Sequence, residues 1–167
     1  MLAYTLLIAA VALERIAELV VSQRNLRWSR ERGGVEYGAG HYPVMVVLHT
    51  ALLVACLGEA PHREFLPALG WPMFGVVLAA QALRWWCIGT LGRQWNTRVV
   101  VVPGAGRITA GPYRYLPHPN YVAVVVEGIA LPLVHSAWIT AVAFTALNAV
   151  LLRTRIICEN QALARLP

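Results

Sequence analysis

NYVAVVVEGIALPLVHSAWITAVAFTALNAVLL, residues 120–152, decides the fold. It is apolar almost throughout, and Glu127 is its single charge. A bilayer core takes roughly 20 mostly apolar residues per helix, so the stretch is too long for one span. Residues 132–135, Pro-Leu-Val-His, make a tight turn that divides it into one span from 120 to about 133 and another from about 136 to 152. The stretch therefore reads as a hydrophobic helical hairpin.

Working outward, residues 2 to about 21 form an apolar run long enough to cross a bilayer with a slight tilt. YPVMVVLHTALLVACL, residues 42–57, is a second and rather short run. A third extends from about 71 to 89, with Pro67 and Pro72 near its start, where proline is tolerated. The expectation is an all-α integral membrane protein with about five transmembrane helices in one domain, 1–167. Residues 1–90 are its three-helix membrane part, and 91–167 hold a polar loop, the hairpin and the last helix end. Composition agrees: 58% of the chain is hydrophobic, 13% is charged, and the mean hydropathy is +0.57, which is too apolar for an ordinary soluble domain.

The charge of +6 arises from fourteen arginines and no lysine, against eight glutamates and no aspartate. Apolar stretches separate the arginines, and no basic helix interleaves them with base-stacking aromatics, so nucleic-acid binding is not expected. With five spans, the loops on one side carry Arg24, Arg27, Arg30, Arg32, Arg93, Arg98, Arg107, Arg114, Arg153, Arg155 and Arg165, and those on the other carry Arg63 alone. The positive-inside rule places the richer side in the cytoplasm and the N-terminus outside. The first run lacks a basic n-region and holds two glutamates, so a cleaved signal peptide is not expected. Cys56, Cys87 and Cys158 lie far apart without a CxxC or zinc spacing, and neither a disulfide framework nor a metal site follows from them.

Two polar clusters stand out. VVVVPGAGRITAGPYRYLPHPNYV, residues 99–122, joins a β-branched run to a glycine turn, but Gly104, Gly106 and Thr109 do not complete a dinucleotide fingerprint. Pro112, Pro117 and Pro119 fix torsions and remove amide donors, which suits a shaped crevice. His118 and Tyr121, three apart, share a face if a helix starts there, although tyrosines at that depth also suit an interfacial belt. RTRIICENQAL, residues 153–163, places Arg155 and Glu159 four apart on one helix face, where an ordinary surface salt bridge is the plainer reading. Both clusters fall on the arginine-rich side, so together they can enclose one small molecule.

Charged residues within the spans need partners or a cavity. Glu14 and Glu18 share a face near the end of the first run, and Glu18 and Arg15 are expected to snorkel. Arg84 and Glu127 lie deeper and are expected to pair. His49 lines a cavity or bonds locally, and no matched partner for haem stands out.

LGRQWNTRVVVVPGAGRITAGPYRYLPHPNY, residues 91–121, followed by the hairpin and RIICENQAL, resembles the isoprenylcysteine carboxyl methyltransferase family, particularly its short bacterial members, over roughly residues 84–165. The resemblance implies a membrane enzyme, in a bacterium placed in the inner membrane, that moves a methyl group from S-adenosylmethionine to a polar oxygen of a lipidic or prenylated acceptor. It implies a cytoplasmic cofactor pocket built by a loop and helix ends. Tyr113, His118, Pro119, Asn120 and Tyr121 match cofactor contacts, with Ile108 nearby; Glu159 matches the cofactor-binding acid, and Arg155 the substrate-facing arginine. Pro117 stands where an arginine commonly precedes the His-Pro pair, and Asn160 where a second acid often follows the first. The alternatives are an NADPH-dependent reductase of the sterol reductase type and a non-enzymatic lipid-binding membrane protein.

Overall fold

The computed structural model describes residues 1–164; Arg165, counted above among the loop arginines, lies outside the described residues. Five helices dominate: α1 (Leu2–Arg30), α2 (His41–Glu59), α3 (Pro67–Leu91), α4 (Pro119–Leu133) and α5 (Trp138–Leu163). Two three-residue strands, β1 (Val35–Tyr37) and β2 (Val99–Val101), pair antiparallel with Val35 opposite Val101. Among the described residues this small sheet is the one departure from an all-α layout, and it comes from the β-branched run at 99–102 finding a partner across the chain.

Among the described residues, three helical segments have the length and composition to cross a membrane: His41–His62, Pro67–Gln94 and Trp138–Leu163. α4 is apolar, but its 15 residues rise only about 22 Å, short of a hydrocarbon core of about 30 Å. α1 is long enough, but Glu14, Arg15 and Glu18 interrupt its apolar part.

Helix ends differ from the hydropathy boundaries where polar residues find partners. α1 continues well past residue 21, so that Arg24, Arg27 and Arg30 stand on a helix and not in a loop. Its last turns are held by Ser22, whose hydroxyl lies 2.8 Å from Asn96 Oδ1, and by Asn25, which donates to the carbonyls of Gly92 and Trp95 at 3.1 and 2.7 Å. α5 likewise continues past residue 152 to Leu163.

Tertiary bonds fix which helix ends lie together. At one end the Tyr4 hydroxyl donates to the Leu131 carbonyl at 3.1 Å. There the Glu59 carboxylate accepts from Arg63 and from the backbone amides of Ile139 and Thr140 at 3.1 and 2.8 Å, satisfying exposed donors at the start of α5. The opposite end gathers the last turns of α1 and α5, the start of α4 and the sheet. The core near the Tyr4 end is apolar, built on Ile8, Leu52, Cys56, Val77, Leu131 and Phe144. Gly128 lets α4 approach α5, because a Cβ there would collide with the Phe144 ring.

Midway along the helices sits a buried ionic cluster. Arg84 bonds Glu127, as their depth in the sequence led us to expect. Arg15 does not snorkel, and neither does Glu18, which is only 4% exposed. They turn inward instead, Arg15 reaching Glu18 at 2.9 Å and Glu127 at 3.3 Å, with Arg84 Nε 3.6 Å from Glu18. Partners on α3 and α4 satisfy these charges better than a stretched path to the interface would.

Candidate functional site

The site forms where α4 begins and α5 ends. His118 precedes α4, and Pro119 takes its first position, where the missing amide proton costs no helical bond and the ring presets φ. Tyr121 follows one turn later, and its ring stacks on that of His118 with centroids 5.4 Å apart. On α5, Arg155, Glu159 and Asn160 face this turn. The Tyr121 hydroxyl donates to Glu159, His118 Nδ1 lies 3.4 Å from the other Glu159 oxygen, and His118 Nε2 lies 3.0 Å from Asn160 Oδ1. Both ring nitrogens thus face oxygen acceptors. The Glu159 carboxylate, ahead of the opposing effect of burial, holds His118 above the ordinary histidine range.

Arg155, 5% exposed, donates to the Thr97 carbonyl at 2.8 Å, and its guanidinium lies 5.9 Å from the centre of the Tyr121 ring. Its Nε has no partner among the described residues, and the same holds for Asn120 Oδ1 and Trp95 Nε1. The Tyr113 phenol is bonded to Cys87, and burial foremost pushes its pKa far above the ordinary tyrosine value.

Asn160 and Cys87 apart, these groups share one cavity of about 440 Å³, within the range of small-molecule sites. Of the residues singled out in the sequence, Ile108, Tyr113, His118, Asn120, Tyr121, Arg155 and Glu159 all line it. Pro119 does not; it is buried beneath the turn. The cavity also extends away from this end. Glu159 and Asn148 both line it, eleven residues apart on α5, or about 16 Å of helix. At its far end it meets Glu18, His49, Arg84 and Asn148, and Ile16 and Thr50 line it while themselves exposed. Asn148 escaped the sequence reading, although a lone amide in the apolar run TALNAVLL is the kind of residue that a helix in lipid keeps for a purpose.

An apolar helical protein whose cavity joins a polar cluster to its interior has the architecture of a small-molecule site built within a membrane protein. The family model for isoprenylcysteine carboxyl methyltransferases matches residues 73–165, more than half of the chain, and the chain belongs to that family of membrane methyltransferases. It is 35% identical to the uncharacterized protein YpbQ of Bacillus subtilis strain 168 over 96% of each chain. It is 24% identical to an uncharacterized protein of Haemophilus influenzae over 99% of this chain and 98% of the other. No solved structure matches.

Proposed function

We propose that the protein is an S-adenosylmethionine-dependent O-methyltransferase that methylates a carboxyl, enol or phenol oxygen of a lipidic substrate at the cytoplasmic face of the membrane. All five helices lie in the bilayer on this reading, with the arginine-rich end in the cytoplasm. The observation that carries the proposal is the single cavity running from Glu159 and His118 to the exposed residues Ile16 and Thr50. A soluble donor can occupy its polar end, while an acceptor enters sideways from lipid.

The residues at the polar end fit the donor. Buried polar atoms rarely stay unpaired, because each costs about 1–3 kcal/mol, yet Trp95 Nε1, Asn120 Oδ1 and Arg155 Nε do so beside the cavity. The two N–H groups suit a carboxylate or ring nitrogens, and the amide oxygen suits an amino or hydroxyl group. Glu159, held by Tyr121 and His118, is oriented to accept from ribose hydroxyls or an amino group. When bound, S-adenosylmethionine supplies an electrophilic methyl group on a sulfonium.

Displacement at such a carbon demands alignment and exclusion of water more than acid or metal. Tyr113, Ile108 and Tyr121 supply apolar walls. Arg155, fixed by Thr97, is placed to favour an anionic acceptor oxygen, the nucleophilic form.

Isothermal titration of detergent-solubilised protein tests this. S-adenosylmethionine should bind and NADPH should not. Glu159→Ala should abolish donor binding, whereas Arg155→Ala should lower turnover more than donor affinity. Unchanged donor affinity in Glu159→Ala would remove Glu159 from the site.

A further inference from the structure

The far end of the cavity carries polar groups for which the donor site has no use. His49 stands on α2, about midway between its ends. Its Nδ1 lies 2.8 Å from the Met45 carbonyl, which can only accept, so Nδ1 carries the proton and Nε2 keeps a lone pair. No protein group among the described residues takes that lone pair. The ring meets the edge of Phe144 with centroids 5.4 Å apart. One turn along α5 from Phe144 comes Asn148, 2% exposed, with its amide oxygen unpartnered. Glu18 Oε1 makes no hydrogen bond but is ion-paired with Arg84 Nε at 3.6 Å. His49, Asn148 and Glu18 all line the cavity.

We infer that His49 and Asn148 form a second polar subsite midway along the helices, where His49 Nε2 accepts the proton of a hydroxyl-bearing acceptor as that oxygen takes the methyl group. The assignment rests on the proposed methyl transfer and narrows its substrate class. Two unfilled acceptor atoms, His49 Nε2 and Asn148 Oδ1, call for a ligand that donates, and a hydroxyl donates. A carboxylate offers acceptors only. It would also enter a cluster in which Glu14, Glu18 and Glu127 already outnumber Arg15 and Arg84, so a further negative charge meets net repulsion. The Nε–H of Arg15, which makes no hydrogen bond, can instead steady the partial charge that appears on a hydroxyl oxygen as its proton leaves.

The step balances. The acceptor O–H bond breaks toward His49 Nε2, the new O–C bond forms, the S–C bond of the sulfonium breaks, and its electron pair stays on sulfur as a neutral thioether. The imidazolium then loses its proton to water before the next turnover.

The test compares methylation of three acceptors of equal alkyl length by purified protein: a plain alkylphenol, a nitro-substituted alkylphenol already ionised at the assay pH, and a fatty acid. Wild type should methylate the plain phenol best, the ionised phenol more weakly because it brings a negative charge and no proton to donate, and leave the fatty acid, whose carboxylate sets a full charge on two oxygens. A positioned base contributes roughly 100-fold or more to a proton transfer, so His49→Ala and His49→Gln should lose about that factor in kcat on the plain phenol. On the ionised phenol, which needs no base, they should lose less than about threefold. Titration of S-adenosylmethionine monitors folding of each variant. Preference of wild type for the fatty acid, or equal losses on both phenols in a variant that still binds donor, overturns the subsite. The fatty-acid comparison uses wild type alone and decides even if both variants misfold. Wild type that binds no donor overturns the methyltransferase reading itself, and the subsite with it.

Discussion

Replacing Glu127 with Gln should destabilise the protein severely, and the arrangement of the buried charges sets the scale. Glu127 is 5% exposed and Arg84 4%; the carboxylate also accepts from Arg15 at 3.3 Å. Removing one member of such a buried pair leaves the other charge uncompensated and costs about 3–5 kcal/mol. Arg84→Met should cost a similar amount, because Glu127 and Glu18 both lose a guanidinium. The double variant removes both charges, so its loss should fall short of the sum of the singles by as much as about 3 kcal/mol, the upper range for residues in direct contact. Unfolding in mixed micelles with increasing SDS, followed by fluorescence of the six tryptophans and by far-UV circular dichroism, provides the four stabilities. Single effects that add to within about 0.5 kcal/mol would refute the idea that these two residues act as a pair.

Two further outcomes follow from the site and the packing. His118 is held above its ordinary pKa chiefly by its bond to Glu159. The stability it contributes is therefore fully present below about pH 6.5, the unfolded value, and is lost as pH rises through the higher folded value. His118→Gln should lower the melting temperature most at acidic pH, with the deficit shrinking on the alkaline side, and a deficit constant with pH would exclude the ion pair. Gly128→Ala should cost about 1–3 kcal/mol through overpacking against Phe144. Phe144→Leu in the same chain should recover part of the loss in melting temperature.

The helices were legible because long apolar runs leave few alternatives, and the hairpin at 120–152 needed no more than its turn residues. Their ends were not. Hydropathy stops α1 near residue 21, whereas Ser22 and Asn25 bond to residues about 70 positions away, information that no local window contains. The sheet was illegible for a related reason, since three-residue strands are too short for an alternating pattern to show. Within the candidate site, i,i+3 spacing put His118 with Tyr121 and i,i+4 spacing put Arg155 with Glu159. Their meeting across α4 and α5 is a tertiary fact that the arginine tally only made plausible. Snorkelling of Glu18 failed as an expectation because it treated α1 as a lone helix in lipid, where Arg84 and Glu127 would be out of reach.

The way α1 is attached bears on how an acceptor would reach the cavity. Lipid offers no hydrophobic drive to pack one apolar helix on another, so association depends on close fit and polar contacts. α1 is fastened at three heights: by Tyr4 to Leu131, by Arg15 and Glu18 to the ionic cluster, and by Ser22 and Asn25 to residues 92–97. These ties run toward α3, α4 or the segment after α3; the Tyr4 hydroxyl also meets Cys56 of α2, but at the end of α1 that does not line the cavity. Between α1 and α2 the cavity wall is Ala12, Ile16 and Leu19 on one side and Met45, Val46 and Leu53 on the other. Those side chains hold nothing by hydrogen bonding, and they border the exposed Ile16 and Thr50. A seam with apolar walls, anchored away from its own edge, can admit an alkyl chain without breaking a polar contact, while the ionic cluster keeps the far side of α1 in place.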